Sequence, residues 1–284
     1  MISFKKIPVI TLLFIVSFVL SRQLFAQEAY PKRIISLGPA ITESLYLLNA
    51  GDRIVGNTIY CERPEAAKKN EKIGTVVEIN LEKIVSLEPD LIIATSLTNS
   101  QAKEKLKMLG LRVVEISQAQ SFGDLCDNFI RLGEIVGQKQ LAEEITATAK
   151  NEVTSLKAKT EALPKPTVFL QLGMKPLVTV TQDSFMNDYI EFAGGVNIAK
   201  GIGRPLYSKE KVAASNPDVI IVVSMGTNNA EEEKKNWESY QELKAVQKKR
   251  IYIIDSNPLC SPTPVSFVAA LQNVIHLLHP DDEQ

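Results

Sequence analysis

Two stretches of the 284-residue chain spell the same helix, turn and strand. Asn80-Leu81-Glu82-Lys83-Ile84-Val85 leads to Glu88-Pro89-Asp90-Leu91-Ile92-Ile93, and Ser208-Lys209-Glu210-Lys211-Val212-Ala213 leads to Asn216-Pro217-Asp218-Val219-Ile220-Ile221. In both copies the glutamate stands seven positions before the proline, and Pro-Asp runs directly into an apolar strand. One recurrence is too few for a solenoid and instead predicts two related lobes, each containing one copy. Pro-Asp reads as turn chemistry between helix and strand. Glu82 and Glu210 fall in or beside a first helical turn, where the helix dipole favours an acid by about 0.3–1 kcal/mol. As a pair they also place one carboxylate at the same point of each lobe, an arrangement suited to two basic sites on a two-fold symmetric partner.

The rest of the chain fits this plan. Arg33 to Leu37 reads as a strand, Gly38-Pro39 as a turn, and Ile41 to Leu48 as a helix stopped near Gly51. Ile54-Val55-Gly56, Leu91 to Ala94 and Arg112 to Ile116 read as further strands, with a helix over Leu81 to Leu87. Apolar strands alternating with helices predict an α/β layer with a mainly parallel sheet. From Phe122 to about Leu163 there is no proline and no strand pattern; Gly137 divides two helices, and the second, Gln138 to Ala162, gives a rod of roughly 36 Å, long enough to bridge two lobes. Pro164 and Pro166 close it before a second series opens at Thr167-Val168-Phe169. The expected fold class is α/β, two Rossmann-like lobes with mainly parallel central sheets joined by one long backbone helix. The expected segments are a signal peptide over 1–26, an N-terminal lobe over 27–136, the connecting helix over 137–163 and a C-terminal lobe over 164–284.

The first residues bear on compartment. Lys5 and Lys6 precede the apolar run Ile7 to Leu20, which is followed by Leu24-Phe25-Ala26. That order reads as a secretory signal, shorter than the ~20 residues of a membrane span and with small Ala26 near the cleavage point; an uncleaved N-terminal anchor is the alternative. No cysteine stands directly after the run, so a periplasmic protein that is not a lipoprotein is expected. Loss of Lys5, Lys6 and Arg22 would lower the formal charge from −1 by three, and nothing suggests nucleic-acid binding. Cys61, Cys126 and Cys260 allow at most one intramolecular bridge and show no zinc spacing.

Ser36-Leu37-Gly38-Pro39-Ala40-Ile41-Thr42-Glu43 is similar to the opening motif of class III periplasmic binding proteins. Val55-Gly56 through Tyr60 and Pro64, Asn80 to Val85, Glu88 to Ile93, Val168 to Gly173 and Gly194 to Ile198 continue the match through nearly all of the chain after the leader. That family serves vitamin B12, ferric siderophore and haem importers, and the chain looks closest to its cobalamin-binding members. The resemblance implies a ligand held between two lobes. It also implies a partner, an inner-membrane ABC permease dimer with its ATPase subunits, docked through a surface glutamate on each lobe; those positions match Glu82 and Glu210. It implies no intrinsic cofactor, the bound molecule being a corrinoid such as cobalamin or another metal chelate.

Among ligand contacts, Tyr60 matches a pocket tyrosine able to lie flat on a macrocycle. Val76, Thr95 and Arg204 stand where the resemblance implies tryptophans, and Asn257 where it implies an aspartate. Arg204 suits a carboxylate, a phosphate or an anionic siderophore group, and equally a surface ion pair. A ferric-siderophore or haem receptor is the alternative within the family.

An exported enzyme acting on a chelate is the alternative outside it, but no acid/base or nucleophile constellation is visible and no catalytic or metal-ligating residue is assigned. Asp183-Ser184 has no neighbouring histidine. His276 and His279 read as end-of-helix packing, Gly194-Gly195 as a helix terminator, and Trp237 as an anchor for the charged segment around it.

Overall fold

The computed structural model describes residues 30–224 and 229–280; the leader expected over 1–26 lies outside them. β1 (Ile34–Ser36), β2 (Ile54–Asn57), β3 (Leu91–Thr95) and β4 (Val113–Ile116) form a wholly parallel sheet in the order β2-β1-β3-β4. Helices α1 (Pro39–Leu47), α2 (Leu81–Ser86) and α3 (Ser100–Met108) connect these strands. Two longer helices follow, α4 (Phe122–Val136) and α5 (Lys139–Thr160).

The second sheet holds β5 (Thr167–Met174), β6 (Leu177–Thr179), β7 (Val196–Asn197), β8 (Val219–Ser224) and β9 (Ile251–Asp255). Its order is β6-β5-β8-β9 with β7 also on β5, and only the β5–β6 hairpin is antiparallel. Its helices are α6 (Phe185–Phe192), α7 (Lys209–Ser215), α8 (Asn229–Glu238), α9 (Lys244–Gln247), α10 (Ser256–Cys260) and α11 (Pro264–Leu278).

The sequence repeat becomes a repeat of geometry. Ile34 lies opposite Leu91 in the first sheet as Val168 lies opposite Val219 in the second. Glu88 and Asn216, each just before the shared proline, take the same left-handed φ of 46°. The aspartates do more than turn the chain. Asp90 accepts the backbone N–H groups of Lys32 (2.7 Å) and Arg33 (3.0 Å), and Asp218 accepts the N–H (3.0 Å) and hydroxyl (2.8 Å) of Thr167. Each carboxylate thereby fastens the start of the neighbouring first strand of its lobe.

Strand alternation sorts the core into faces. Ile34, Leu91 and Ile93 join one cluster and Ile35, Ile92 and Ala94 another; in the second lobe Val168, Val219 and Ile221 separate likewise from Phe169, Ile220 and Val222. Both faces are apolar because helices cover both. Trp237 is fully buried in the outer layer of the second lobe, its Nε1–H donating to Gln171 at 2.6 Å and its ring set edge-on to Phe169. It anchors an otherwise charged helix.

Ser121 caps α4 with a reciprocal bond to Asp124, and Gly137, at φ 78°, ends it in the left-handed conformation that glycine adopts without strain. The 22 residues of α5 rise about 33 Å. Ala142, near its start, packs in the first lobe's core, whereas Ala149 and Val153 pack in the second's. The companion α4 straddles the lobes too, with Phe122, Leu125 and Cys126 on the second core and Phe129, Leu132 and Val136 on the first. Two packed helices therefore hold the lobes, which favours small relative motion over a free hinge.

Gly194, at φ 76°, ends α6. His279 is buried with its ring nitrogen 2.8 Å from the Ala193 carbonyl oxygen, a packing position at the end of α11. All three cysteines are free thiols. No helix among the described residues is long and apolar enough to cross a membrane.

Candidate ligand cleft

Parallel strands bring their carboxyl ends to one edge of a sheet, where open α/β sheets place ligands. Here the two such edges face each other. The turn after β1 (Gly38 to Ile41), the end of β3 (Thr95) and the end of β9 (Asp255) all line one cavity of about 730 Å³. Gly38 is required by close approach: a Cβ there would sit 2.8 Å from Thr95 Cγ2.

Tyr60, Glu62, Val76 and Leu97 from the first lobe and Ser256, Asn257, Cys260 and Ser261 from the second complete the lining. Glu62 and Asp255 are the only charged residues among the described lining residues, one from each lobe. Against these acceptors stands the start of α1. Gly38 provides no side-chain cap there, and Pro39 opens the helix, leaving the amides of its first turn as donors beside the cavity.

A smaller cavity of about 220 Å³ adjoins this cleft, sharing Thr95, Leu97 and Cys260 and walled by Leu125, Phe129, Leu132 and Phe185. None of its lining residues is charged.

The Tyr60 loop is held from behind. Lys72 Nζ lies 2.7 Å from Asn57 Oδ1 and within 3.4 Å of the carbonyl oxygens of Thr58, Cys61 and Ala67. Burial lowers the Lys72 pKa, against the raising influence of Cys61 and Glu62. Tyr60 itself remains 53% exposed, its ring free to cover a ligand face. Behind Ser261, and not itself among the lining residues, Arg63 Nη2 meets Glu43 Oε2 at 2.8 Å and donates to the Ser261 carbonyl at 2.9 Å. Burial raises the Glu43 pKa, and Arg63 opposes that rise. The thiol of Cys126 is pushed up to about 12 and that of Cys260 to about 11 by burial, so both are poor nucleophiles.

Of the ligand contacts expected from sequence, the structure brings Tyr60, Thr95 and Asn257 together in the cleft. Arg204 is exposed on the loop between β7 and α7 and is not among the residues lining the cleft. Sequence reasoning passed over Glu62 and Asp255. Their proximity to Tyr60 and Asn257 was the available signal, but which neighbour along a loop faces the cavity is decided by the loop's backbone. Asp255 also caps α10 by accepting the Asn257 N–H at 2.9 Å.

Glu82 and Glu210 are exposed in the first turns of α2 and α7, whose caps Asn80 and Ser208 accept from Lys83 and Lys211 in the same pattern. Glu210's carboxylate is held below the usual range by its own backbone amide and the Ser208 hydroxyl. Each of these helices ends where the following strand begins, so its first turn lies toward the strand ends that line the cleft. The two carboxylates thus take equivalent exposed places, one on each lobe, and neither is among the residues lining the cleft.

Comparison with known proteins agrees with this geometry. Residues 34–258 match the family model described as periplasmic binding protein. A vitamin B12-binding protein of Vibrio vulnificus is 32% identical over 254 residues, covering 88% of this chain and 91% of that protein. The crystal structure of the periplasmic vitamin B12-binding protein of Vibrio cholerae superposes with a TM-score of 0.76 at 28% identity, over 89% of this chain and 99% of that one. A periplasmic haem-binding protein of Pseudomonas aeruginosa shares the fold with a TM-score of 0.80 at 22% identity, over 88% of this chain and 94% of that one. With two α/β lobes, a cleft at their strand ends and a match spanning most of its length, this chain belongs to the periplasmic binding protein family of transporter substrate-binding proteins.

Proposed function

We propose that this protein captures a corrinoid, cobalamin or a close relative, in the periplasm and delivers it to an ABC importer without altering it. The observation that carries the ligand class is the charge pattern of the cleft: two carboxylates, the amides at the start of α1, and no lysine, arginine or histidine among its lining residues. A corrinoid's periphery is dominated by carboxamides, whose N–H₂ groups suit Glu62 and Asp255 and whose carbonyls suit backbone N–H donors. Haem carries carboxylates and many siderophores are anionic, and such groups would be repelled by this lining. The volume of about 730 Å³ lies within the usual range of small-molecule sites. Tyr60 supplies a ring for the macrocycle face. The likeness to vitamin B12-binding proteins supports the same assignment.

Docking is assigned to Glu82 and Glu210, whose equivalent placement suits a pair of basic sites on a two-fold permease. Equilibrium titration of the purified protein with cyanocobalamin, dicyanocobinamide, haemin and a ferric hydroxamate tests the ligand. Saturable binding of the corrinoids alone is expected; binding of haemin or the siderophore alone would replace this reading with the other branch of the family. Charge reversal at both glutamates is expected to abolish uptake with ligand affinity unchanged. Undiminished uptake would remove the docking role.

A further inference from the structure

One guanidinium, bonded to the cleft-lining residue Ser261, joins the two lobes. Arg63 lies three residues after Tyr60 on the first-lobe loop, yet its Nη2 donates at 2.9 Å to the carbonyl of Ser261, which belongs to the second lobe. The same nitrogen pairs at 2.8 Å with Glu43 of α1, and the Ser266 hydroxyl of α11 lies 3.5 Å from that carboxylate. Both carboxylate and guanidinium are largely shielded, their side chains 16% and 25% exposed. Ser261 directly follows α10, so it is continuous with Asp255, Asn257 and Cys260 on the opposite wall. Arg63 thus ties the segment carrying Tyr60 and Glu62 to the segment carrying Asp255 and Asn257.

The geometry points to Arg63 as a positioning residue that sets the width of the cleft, and with it the thickness of ligand that Tyr60 and the α10 segment can grip together. The assignment rests on this cleft being the ligand site, but not on which chelate fills it. The clasp is strong enough to fix spacing and light enough to open. Both bonds run through one nitrogen, while the buried Nε has no acceptor among the described residues. A partner drawing the lobes apart through Glu82 and Glu210 would have this contact at Ser261 to break, and its loss would free both walls at once.

The test is amide hydrogen exchange of the full protein with and without cyanocobalamin, on wild type, Arg63→Met, Arg63→Lys and Tyr60→Ala. Arg63→Met is expected to raise exchange in both 58–63 and 256–263 in the free protein and to weaken cyanocobalamin binding about tenfold, the scale of one hydrogen bond to a charged group. Arg63→Lys can renew a charged contact to Glu43 and is expected to recover part of both effects. Tyr60→Ala should weaken binding and leave 256–263 unchanged, separating a lost contact from a lost tie. Exchange that rises only in 58–63, or coupled exchange with unaltered affinity for a ligand the wild type binds, would overturn the assignment. Should the wild type not bind cyanocobalamin, the corrinoid reading fails, and exchange in the free protein still decides whether Arg63 couples the walls.

Discussion

Replacing Asp218 by alanine removes the carboxylate that fastens β5 to the start of β8. Its two bonds to Thr167, 3.0 Å from the N–H and 2.8 Å from the hydroxyl, are charge-assisted, and the carboxylate is 22% exposed. Hydrogen bonds to charged groups contribute about 1.5–3 kcal/mol each. Because the site is partly wet and Thr167 can recruit water, the combined loss is about 2–3 kcal/mol. The Lys248 ion pair adds little: at 3.4 Å with a lysine 57% exposed, it is worth less than about 1 kcal/mol. For a chain of this size the thermal midpoint should fall by roughly 5–10 °C.

Asp218→Asn keeps an acceptor and loses the charge, so about 1 kcal/mol is expected. Asp90→Ala breaks the corresponding bonds in the more exposed first-lobe copy and should cost less than Asp218→Ala.

pH gives an independent handle. Burial raises the Asp218 pKa, but the bonds from Thr167 and Lys248 outweigh it and leave the carboxylate below its usual value. A lowered folded pKa means a contribution that is complete above the unfolded value of about 4 and disappears as pH falls through the folded one. Wild type and Asp218→Ala should therefore differ most at neutral pH and converge in acid. The assay is calorimetric or circular-dichroism melting at several pH values. A midpoint within 1 °C of wild type at pH 7, or a difference that grows in acid, would refute the reasoning.

Tyr60→Ala should weaken ligand binding roughly tenfold or more with little change in melting, since a half-exposed ring supports the ligand and not the core; titration calorimetry and melting check this together. Lys72→Met removes the ammonium gathered by Asn57, Thr58, Cys61 and Ala67, and should raise proteolytic susceptibility of the 58–67 loop. In native protein at pH 8, a thiol reagent should label Cys126 and Cys260 far more slowly than after denaturation, because burial keeps both protonated. Trp237, buried against Phe169 and Gln171, should emit at short wavelength and be little shifted by added ligand.

How much of this was legible in the sequence depends on the range over which each feature is encoded. The helix-turn-strand repeat was readable because Pro-Asp and the apolar strand after it are local, and each copy folds the same way. The pairing of Ile34 with Leu91 and of Val168 with Val219 was not readable, because strand neighbours are set by how the connecting helices cross the sheet. The break at Gly137 was readable because few other residues tolerate its backbone. The clamping by Asp90 and Asp218 was hidden, since their partners lie more than fifty positions away in the chain. The same holds for Arg63, whose second-lobe partner is 198 positions distant. In the cleft, Tyr60 and Thr95 were reached by resemblance, but the acids Glu62 and Asp255 became evident only when the loops had a shape.

The central claim is that this cleft holds a corrinoid. The most direct measurement is titration of the purified protein with cyanocobalamin, beside Glu62→Gln/Asp255→Asn as a control for the cleft acids. Saturable one-to-one binding at micromolar concentration or tighter, weakened in the double variant, is the expected result. No binding of cyanocobalamin under conditions where haemin or a ferric siderophore saturates the protein would contradict it.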